Sequence, residues 1–411
     1  MVVFRLPWYT DSMERRISAL KKRLICYFLL LCFLLSGCGA ANSESREDAV
    51  RLLCLNIGKA DCMLLLYRDS AYLIDAGYEQ TWPALQTALA QYSVTKLNGV
   101  FLTHCHEDHQ GGLMPLAESD VAVDAWYAAR IFYDQKESKH PAKLAAAQRG
   151  QEVVWLDAGM EIAVGDDGRF TVLGPLTVNT DNENNNSLVL RFDSPESSIL
   201  LTGDMKEDEE FELLDAGLLS PCDLLKVGHH GDNNATSKAL LEAVRPKAAV
   251  ILTSTAEEPD TPAESPLRRL DRIGCAVYVS QEARDALLFT LQDGEISVED
   301  VSWQGVPERA EGIRLAIDTA RDTVTIFNEN ASPLPLNGFA LYSTKGNELM
   351  ELPDGTLQPG GQYVIGTDES TVSIDARWRK KRVWNLANTD IGILYDAYGR
   401  PIAVADNGIQ D

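Results

Sequence analysis

The sequence predicts an α/β layered domain followed by an all-β sandwich, and three observations predict it. Apolar strand patterns alternate with helical spacing from about residue 49 to residue 299, the signature of helices layered on sheets. Three of the apolar runs end on histidine or aspartate: Gly99-Val100-Phe101-Leu102 before Thr103-His104, Leu200-Leu201-Thr202-Gly203-Asp204, and Asp223 to Gly228 before His229-His230-Gly231. Beyond residue 311 the helical period stops, and short strand patterns recur between Gly and Pro turns.

The chain opens with Arg15, Arg16, Lys21, Lys22 and Arg23, followed by an apolar run from Leu24 to Leu35. A basic flank, a short apolar run and small residues describe a secretory signal. The run is too short to cross a bilayer, which takes about 20 residues. Leu35-Ser36-Gly37-Cys38 resembles the lipobox of bacterial lipoproteins. That resemblance implies cleavage before Cys38, a lipid on its sulfur, and anchorage to the outer face of the cytoplasmic membrane of a bacterium. Residues 1–37 are then a signal peptide, with Met13 the expected start, and residues 38–48 a small, polar tether.

A length of 411 residues suits two to three domains, and 45% hydrophobic with 24% charged residues is a globular composition. The net charge is −24, and the signal segment holds more basic than acidic residues, so the exported part is more acidic still. Such a surface repels polyanions at long range and excludes a broad basic footprint for nucleic acid. Cys54, Cys62, Cys105, Cys222 and Cys275 lie in or beside apolar runs. An odd number so placed reads as small core residues, not as a disulfide framework.

Within residues 49–299, Ala49–Leu55, Met63–Tyr67 and Ala71–Ile74 read as strands of one sheet, and Trp82–Tyr92 as a helix with Leu85, Ala88 and Leu89 on one face. The helix leads into the strand before His104, a β-α-β crossover. Further strands are expected at Glu152–Leu156, Phe170–Leu173, Leu188–Phe192, Ala248–Leu252 and Ala276–Val279, and helices at Ala142–Gln148, Ala235–Val244 and Pro266–Ile273. Asp293-Gly294 marks a closing hairpin between Ala286–Leu291 and Glu295–Val298. His140, in a polar stretch without a partner, reads as a surface histidine.

The chemistry centres on Thr103-His104-Cys105-His106-Glu107-Asp108-His109, which holds three of the six histidines. In extended chain, His104 and His106 project to one side, while Asp108 and His109 sit at the turn. Imidazole and carboxylate suit zinc and related divalent ions, and this patch offers enough ligands for two. With Asp204 and His229-His230 on later strand ends, the ordered set resembles the metallo-β-lactamase superfamily. The resemblance implies an αββα sandwich with two divalent ions, zinc first and manganese second, at one edge. His104 and His106 would hold one ion, Asp108, His109 and one of His229 and His230 the other, with Asp204 bridging; the sequence does not separate the two, and His230 is the preferred ligand. His229 is then a substrate contact or proton donor, and Asp108 also steers the nucleophile's proton.

Leu55-Asn56-Ile57-Gly58-Lys59-Ala60-Asp61-Cys62 with Leu73-Ile74-Asp75-Ala76-Gly77 resembles the opening of the hydrolase domain in bacterial DNA-uptake channel proteins of the ComEC type. There Asp61 would hold loops near the site. Asn184 and Ser187, in the run Asp181 to Ser187, match that family's Asn-x-x-Ser and stand where most of the superfamily has a further histidine. They are expected to contact substrate. Two ions about 3.5–4 Å apart can activate water and clamp the entering and departing oxygens of an in-line displacement. The resemblance implies phosphodiester hydrolysis, with DNA outside the cell the leading substrate. Two other readings are a hydrolase of lipid- or wall-linked small phosphodiesters, and a lipid-anchored binding or adhesion protein with an inert site.

Residues 300–311 read as a linker. In residues 312–411, Leu336-Asn337-Gly338-Phe339, Leu352 to Leu357 with Pro359-Gly360, and Asn388 to Ile391 before Asp396 and Gly399 resemble the lamin tail domain. That implies an immunoglobulin-like binding or spacing module whose partner the sequence does not name. Within it, Arg377-Trp378-Arg379-Lys380-Lys381-Arg382 mixes cations with tryptophan, a pattern that can grip phosphates and stack on bases, or lie on anionic lipid.

Overall fold

The computed structural model describes residues 48–409. The signal peptide, the lipobox at Cys38 and nearly all of the tether lie outside the described residues. No helix among the described residues is long and apolar enough to cross a membrane.

Two sheets face each other. In one, the strands run in the order Glu295–Val301, Ala286–Gln292, Val50–Leu55, Cys62–Tyr67, Ser70–Ala76, Gly99–Leu102, Trp126–Ala129, Val153–Leu156. In the other, the order is Ala276–Val279, Ala248–Ile251, Leu224–Lys226, Ser198–Leu201, Val189–Asp193, Gly168–Gly174, Glu161–Val164. The unbroken apolar runs follow from burial on both faces. Along Val50–Leu55, Val50, Leu52 and Cys54 enter the core between the sheets, whereas Leu53 and Leu55 pack outward. Helices Trp82–Gln91, Leu113–Glu118 and Pro141–Gln148 cover the first sheet through Leu85, Ala88, Leu116 and Ala145. Leu213, Leu240, Leu241 and Leu270 cover the second from Glu207–Asp215, Lys238–Val244 and Glu264–Arg272. This is the αββα layering.

Each sheet passes from antiparallel to parallel pairing. Ser70–Ala76 is antiparallel to Cys62–Tyr67 but parallel to Gly99–Leu102, and Ser198–Leu201 is antiparallel to Val189–Asp193 but parallel to Leu224–Lys226. The carboxyl ends of the parallel strands gather at one edge, the place where α/β sheets bind ligands.

The C-terminal region is all β. Sheet Ile313–Asp318, Thr323–Asn328, Gln362–Gly366, Ala376–Arg377 packs on sheet Glu348–Glu351, Ala340–Ser343, Ile391–Tyr395, Pro401–Asp406 over Leu315, Val324, Ile326, Leu341, Trp384 and Leu394. The outer face of the second sheet is partly covered by the αββα half. Tyr342, Ile393 and Tyr395 form a buried cluster against Tyr78 of the αββα half. Arg400 reaches across to Asp285 at 3.0 Å, and a Cβ at Gly399 would sit 3.0 Å from the Gln80 carbonyl, so glycine permits this approach. The segment 300–311 is pinned as well, with Trp303 buried and Arg309 donating to the Asn56 carbonyl at 2.6 Å.

Two expectations are corrected. His140 is buried between Phe132 and Trp155, with ring centroids at 4.8 and 4.9 Å, and burial lowers its pKa to about 4. Trp378 and Trp384 are core residues of the sandwich, so neither offers a face for stacking. The cations beside them are paired locally, Arg377 with Asp368, Lys380 with Glu348, and Lys381 and Arg382 with Glu369, while Arg379 is exposed. All five cysteines among the described residues are buried and free.

Candidate metal centre

The strand Gly99–Leu102 is followed by Thr103 and His104, a bend at Cys105, and His106, whose extended φ/ψ of −76°/151° precedes the short helix Glu107–Gln110. His104 Nε2 lies 2.9 Å from His106 Nδ1. The helix turns His109 inward, where Asp75, at the end of its own strand, receives it. The Asp75 carboxylate accepts from Thr103 N and Thr103 Oγ1, both at 2.8 Å, and lies 2.8 Å from His109 Nδ1. A carboxylate on Nδ1 fixes the ring and leaves Nε2 as the free donor.

The second sheet brings Asp204 and His230. Gly203 has φ +50°, and a Cβ there would lie 2.8 Å from Thr103 Cβ, so only glycine lets the two strand ends meet. His229 and His230 both adopt left-handed backbone, φ 45° and 53°, which sends the rings in different directions. His230 Nδ1 donates to the Leu252 carbonyl at 2.8 Å, aiming Nε2 inward. His229, half-buried at the cleft mouth, is held by Asp232 at 3.1 Å.

One oxygen of Asp204 stands at the centre. Asp204 Oδ2 is 3.2 Å from His109 Nε2, 3.3 Å from His230 Nε2 and 3.8 Å from His104 Nε2, and Asp108 Oδ2 is 3.2 Å from His230 Nε2. Ligand atoms of Asp108, His109, Asp204 and His230 lie within 4.8 Å of one another. His109 Nε2, His230 Nε2 and Asp204 Oδ1 are buried without a hydrogen-bond partner, an arrangement that is costly unless a cation satisfies it. This donor set fits divalent cations.

Electrostatics agree. Burial opposes charge on both His109 and His230, yet the surrounding carboxylates, Asp204 foremost with Asp108 and, for His109, Asp75, together outweigh it, raising His109 well above the usual imidazole range and His230 to about 9. His104 is pushed well below that range by burial first and by His109 second.

A further layer supports the ligands. Asp61, fully buried, pairs with Lys226 Nζ at 2.5 Å, and Lys226 donates to the Gly203 carbonyl at 3.0 Å. Asp75 and Lys226 escaped the sequence reading, although an aspartate ending a strand and a lysine inside Leu224-Leu225-Lys226-Val227 were the available signals. Of the two residues expected to touch substrate, Asn184 lines the cleft with its Oδ1 unpartnered. Ser187 is completely buried and accepts from Asp204 N at 3.0 Å, so it positions a ligand and does not reach substrate.

Residues 55–255 match the model of the family described as the metallo-beta-lactamase superfamily. Over this stretch, just under half of the chain, the protein is thus similar to that superfamily. That fold implies divalent metal ions, in keeping with the donor cluster. The domain region is similar to ComE operon protein 3 of Bacillus subtilis, 29% identical over 297 residues, which cover 64% of this chain and 36% of that protein. Recombination protein 2 of Haemophilus influenzae is 28% identical over 229 residues, 54% of this chain and 26% of that one. Competence protein ComA of Neisseria gonorrhoeae is 27% identical over 273 residues, 64% and 36% of the two chains. The match thus spans about a third or less of these relatives' length. Among solved structures, the metallo-beta-lactamase fold protein YhfI from Bacillus subtilis aligns with 61% of this chain and 100% of its own, at 15% identity and a TM-score of 0.38.

Proposed function

We propose that this chain is a metal-dependent phosphodiesterase acting outside the cytoplasm, with DNA its leading substrate, and tethered through a lipid on Cys38. The observation that carries the reading is the convergence of His104, His106, His109 and His230 with Asp108 and Asp204 on one buried point. His104 and His106 would hold one ion, Asp108, His109 and His230 the other, and Asp204 both. Two divalent ions, zinc or manganese, supply Lewis-acid activation of water and neutralise charge on phosphoryl oxygens.

The chain's own groups do the rest. Asp108, at the cleft and 3.8 Å from Lys59 Nζ, takes up the proton of the attacking water. His229, oriented by Asp232, holds a proton for the departing oxygen. Asn184 turns its amide toward the ester.

The names of two relatives, a competence protein and a recombination protein, support DNA as the substrate. The net charge of −24 means that a polyanion is gripped at the cleft and not by the surface at large. The cleft volume, about 390 Å³, favours a second reading, a lipid- or wall-linked small phosphodiester. Assaying the soluble form from residue 39 onward on single-stranded DNA, duplex DNA and glycerophosphocholine separates them. DNA cleavage supports the first reading, turnover of glycerophosphocholine alone the second, and neither with no bound metal an inert binding protein.

A further inference from the structure

The cleft above the metal cluster is built from both halves of the molecule. Its catalytic wall includes Tyr78, Asn184 and His229, while the opposite wall is Tyr342, Thr344 and Asn347 of the C-terminal sandwich. The rings of Tyr78 and Tyr342 lie 5.3 Å apart across the boundary, and Tyr342 Oη donates to Asn347 Oδ1 at 2.8 Å. Tyr342 is buried, Tyr78 half-buried and Asn347 exposed, so the sandwich backs one aromatic ring with another and sets an amide beside it.

This wall is held rigidly. Tyr342 sits on the strand Ala340–Ser343, and Asn347, with φ +50°, closes the hairpin to Glu348–Glu351. Buried Asp390 fastens the turn, accepting from Ser343 Oγ at 2.9 Å and from Lys345 N at 3.1 Å. A spacer module would need neither a fixed turn nor residues at the metal cleft. A half-exposed tyrosine face with a neighbouring amide has the chemistry to stack on a base and hydrogen-bond its edge. A base that stacks on a side chain is unpaired, so the site suits a single strand.

We propose that the C-terminal sandwich completes the substrate site, with Tyr78 and Asn347 binding the nucleoside next to the scissile phosphate of a single-stranded substrate and Tyr342 holding both in place. This rests on the phosphodiesterase reading for its chemistry, but its binding can be measured apart from it.

The test uses the chain from residue 39 onward with Tyr342→Phe, which keeps the packing, and Asn347→Gly, which suits the positive φ. In one arm, kcat/KM is compared for thymidine 5′-(4-nitrophenyl) phosphate and methyl 4-nitrophenyl phosphate. The ratio between the two esters is expected to fall about tenfold in each variant, mainly through KM, because Asn347→Gly removes the base-binding amide and Tyr342→Phe removes the hydroxyl that orients it. In the other arm, the affinity for a fluorescent five-nucleotide single strand is measured by anisotropy, and it is expected to weaken about tenfold. If the wild type cleaves neither ester, the phosphodiesterase reading fails and the anisotropy arm decides this proposal. An unchanged ester ratio, an unchanged affinity in both variants, or a wild type that does not bind the strand overturns it.

Discussion

Lys226 and Asp61 form a fully buried ion pair, 2.5 Å from Nζ to Oδ2, directly behind the metal ligands. Burial works against the lysine's charge, but Asp61 and Asp204 hold its pKa above the ordinary value. The same ammonium donates to the Gly203 carbonyl and lies 3.7 Å from Asp204 Oδ1, so it fixes the turn that presents Asp204. Removing one partner strands a buried charge, at about 3–5 kcal/mol. Lys226→Met is expected to lose stability on that scale in urea unfolding, and Lys226→Met/Asp61→Asn to regain part of it.

Asp75→Asn tests how His109 is aimed. The amide cannot hold the Nδ1 proton as the carboxylate does, and metal affinity is expected to fall about 10- to 100-fold. Competition with a chromogenic chelator reads this directly. Affinity equal to the wild type would show that Thr103 and packing suffice.

The two halves are joined by Arg400, which sits 3.0 Å from Asp285 and 2.7 Å from Asp396, with both carboxylates buried. Arg400→Met leaves the pair unmatched and is expected to cost about 3–5 kcal/mol. Limited proteolysis should then cut within residues 300–311, a segment now pinned by Trp303 and Arg309. An unaltered melting temperature and cleavage pattern would refute this role.

His140 gives the fold an acid-sensitive element. Its pKa, lowered to about 4 by burial, lies below the unfolded value of about 6.5. Between these values the unfolded chain binds the proton and the native chain does not, so stability declines as pH falls from about 6.5 toward 4. The full span amounts to at most about 3.4 kcal/mol. His140→Phe, which keeps a ring between Phe132 and Trp155, is expected to lose less stability than the wild type between pH 7.5 and pH 4.5. Equal losses would contradict the assignment.

Much of the site was legible because its signals are local. His104, His106, Asp108 and His109 lie within six consecutive positions, and Asp204 and His230 each follow an apolar strand whose end is a position for function. The layering was legible for the same reason, since strands buried on both faces must be apolar throughout. What escaped reading depends on partners far away in sequence. Asp75 meets His109 across 34 positions, and Lys226 resembled a polar interruption until Asp61 was beside it. His140 has polar sequence neighbours but aromatic spatial ones. Trp378 looked like a stacking surface because a basic run gives no sign of which side chains point into a sandwich core. Tyr342 and Asn347 carry no ligand chemistry of their own, and only docking of the two halves brings them to the cleft.

The most direct test is the metal content of the soluble form from residue 39 onward, measured by plasma mass spectrometry alongside cleavage of bis(4-nitrophenyl) phosphate, with Asp204→Asn as comparison. Two divalent ions per chain and ester cleavage in the wild type are expected, with fewer than two ions and at least a hundredfold lower activity, about 2.7 kcal/mol in barrier, in the variant. A wild type that binds no divalent ion, or an Asp204→Asn chain that keeps both ions and full activity, would contradict the account.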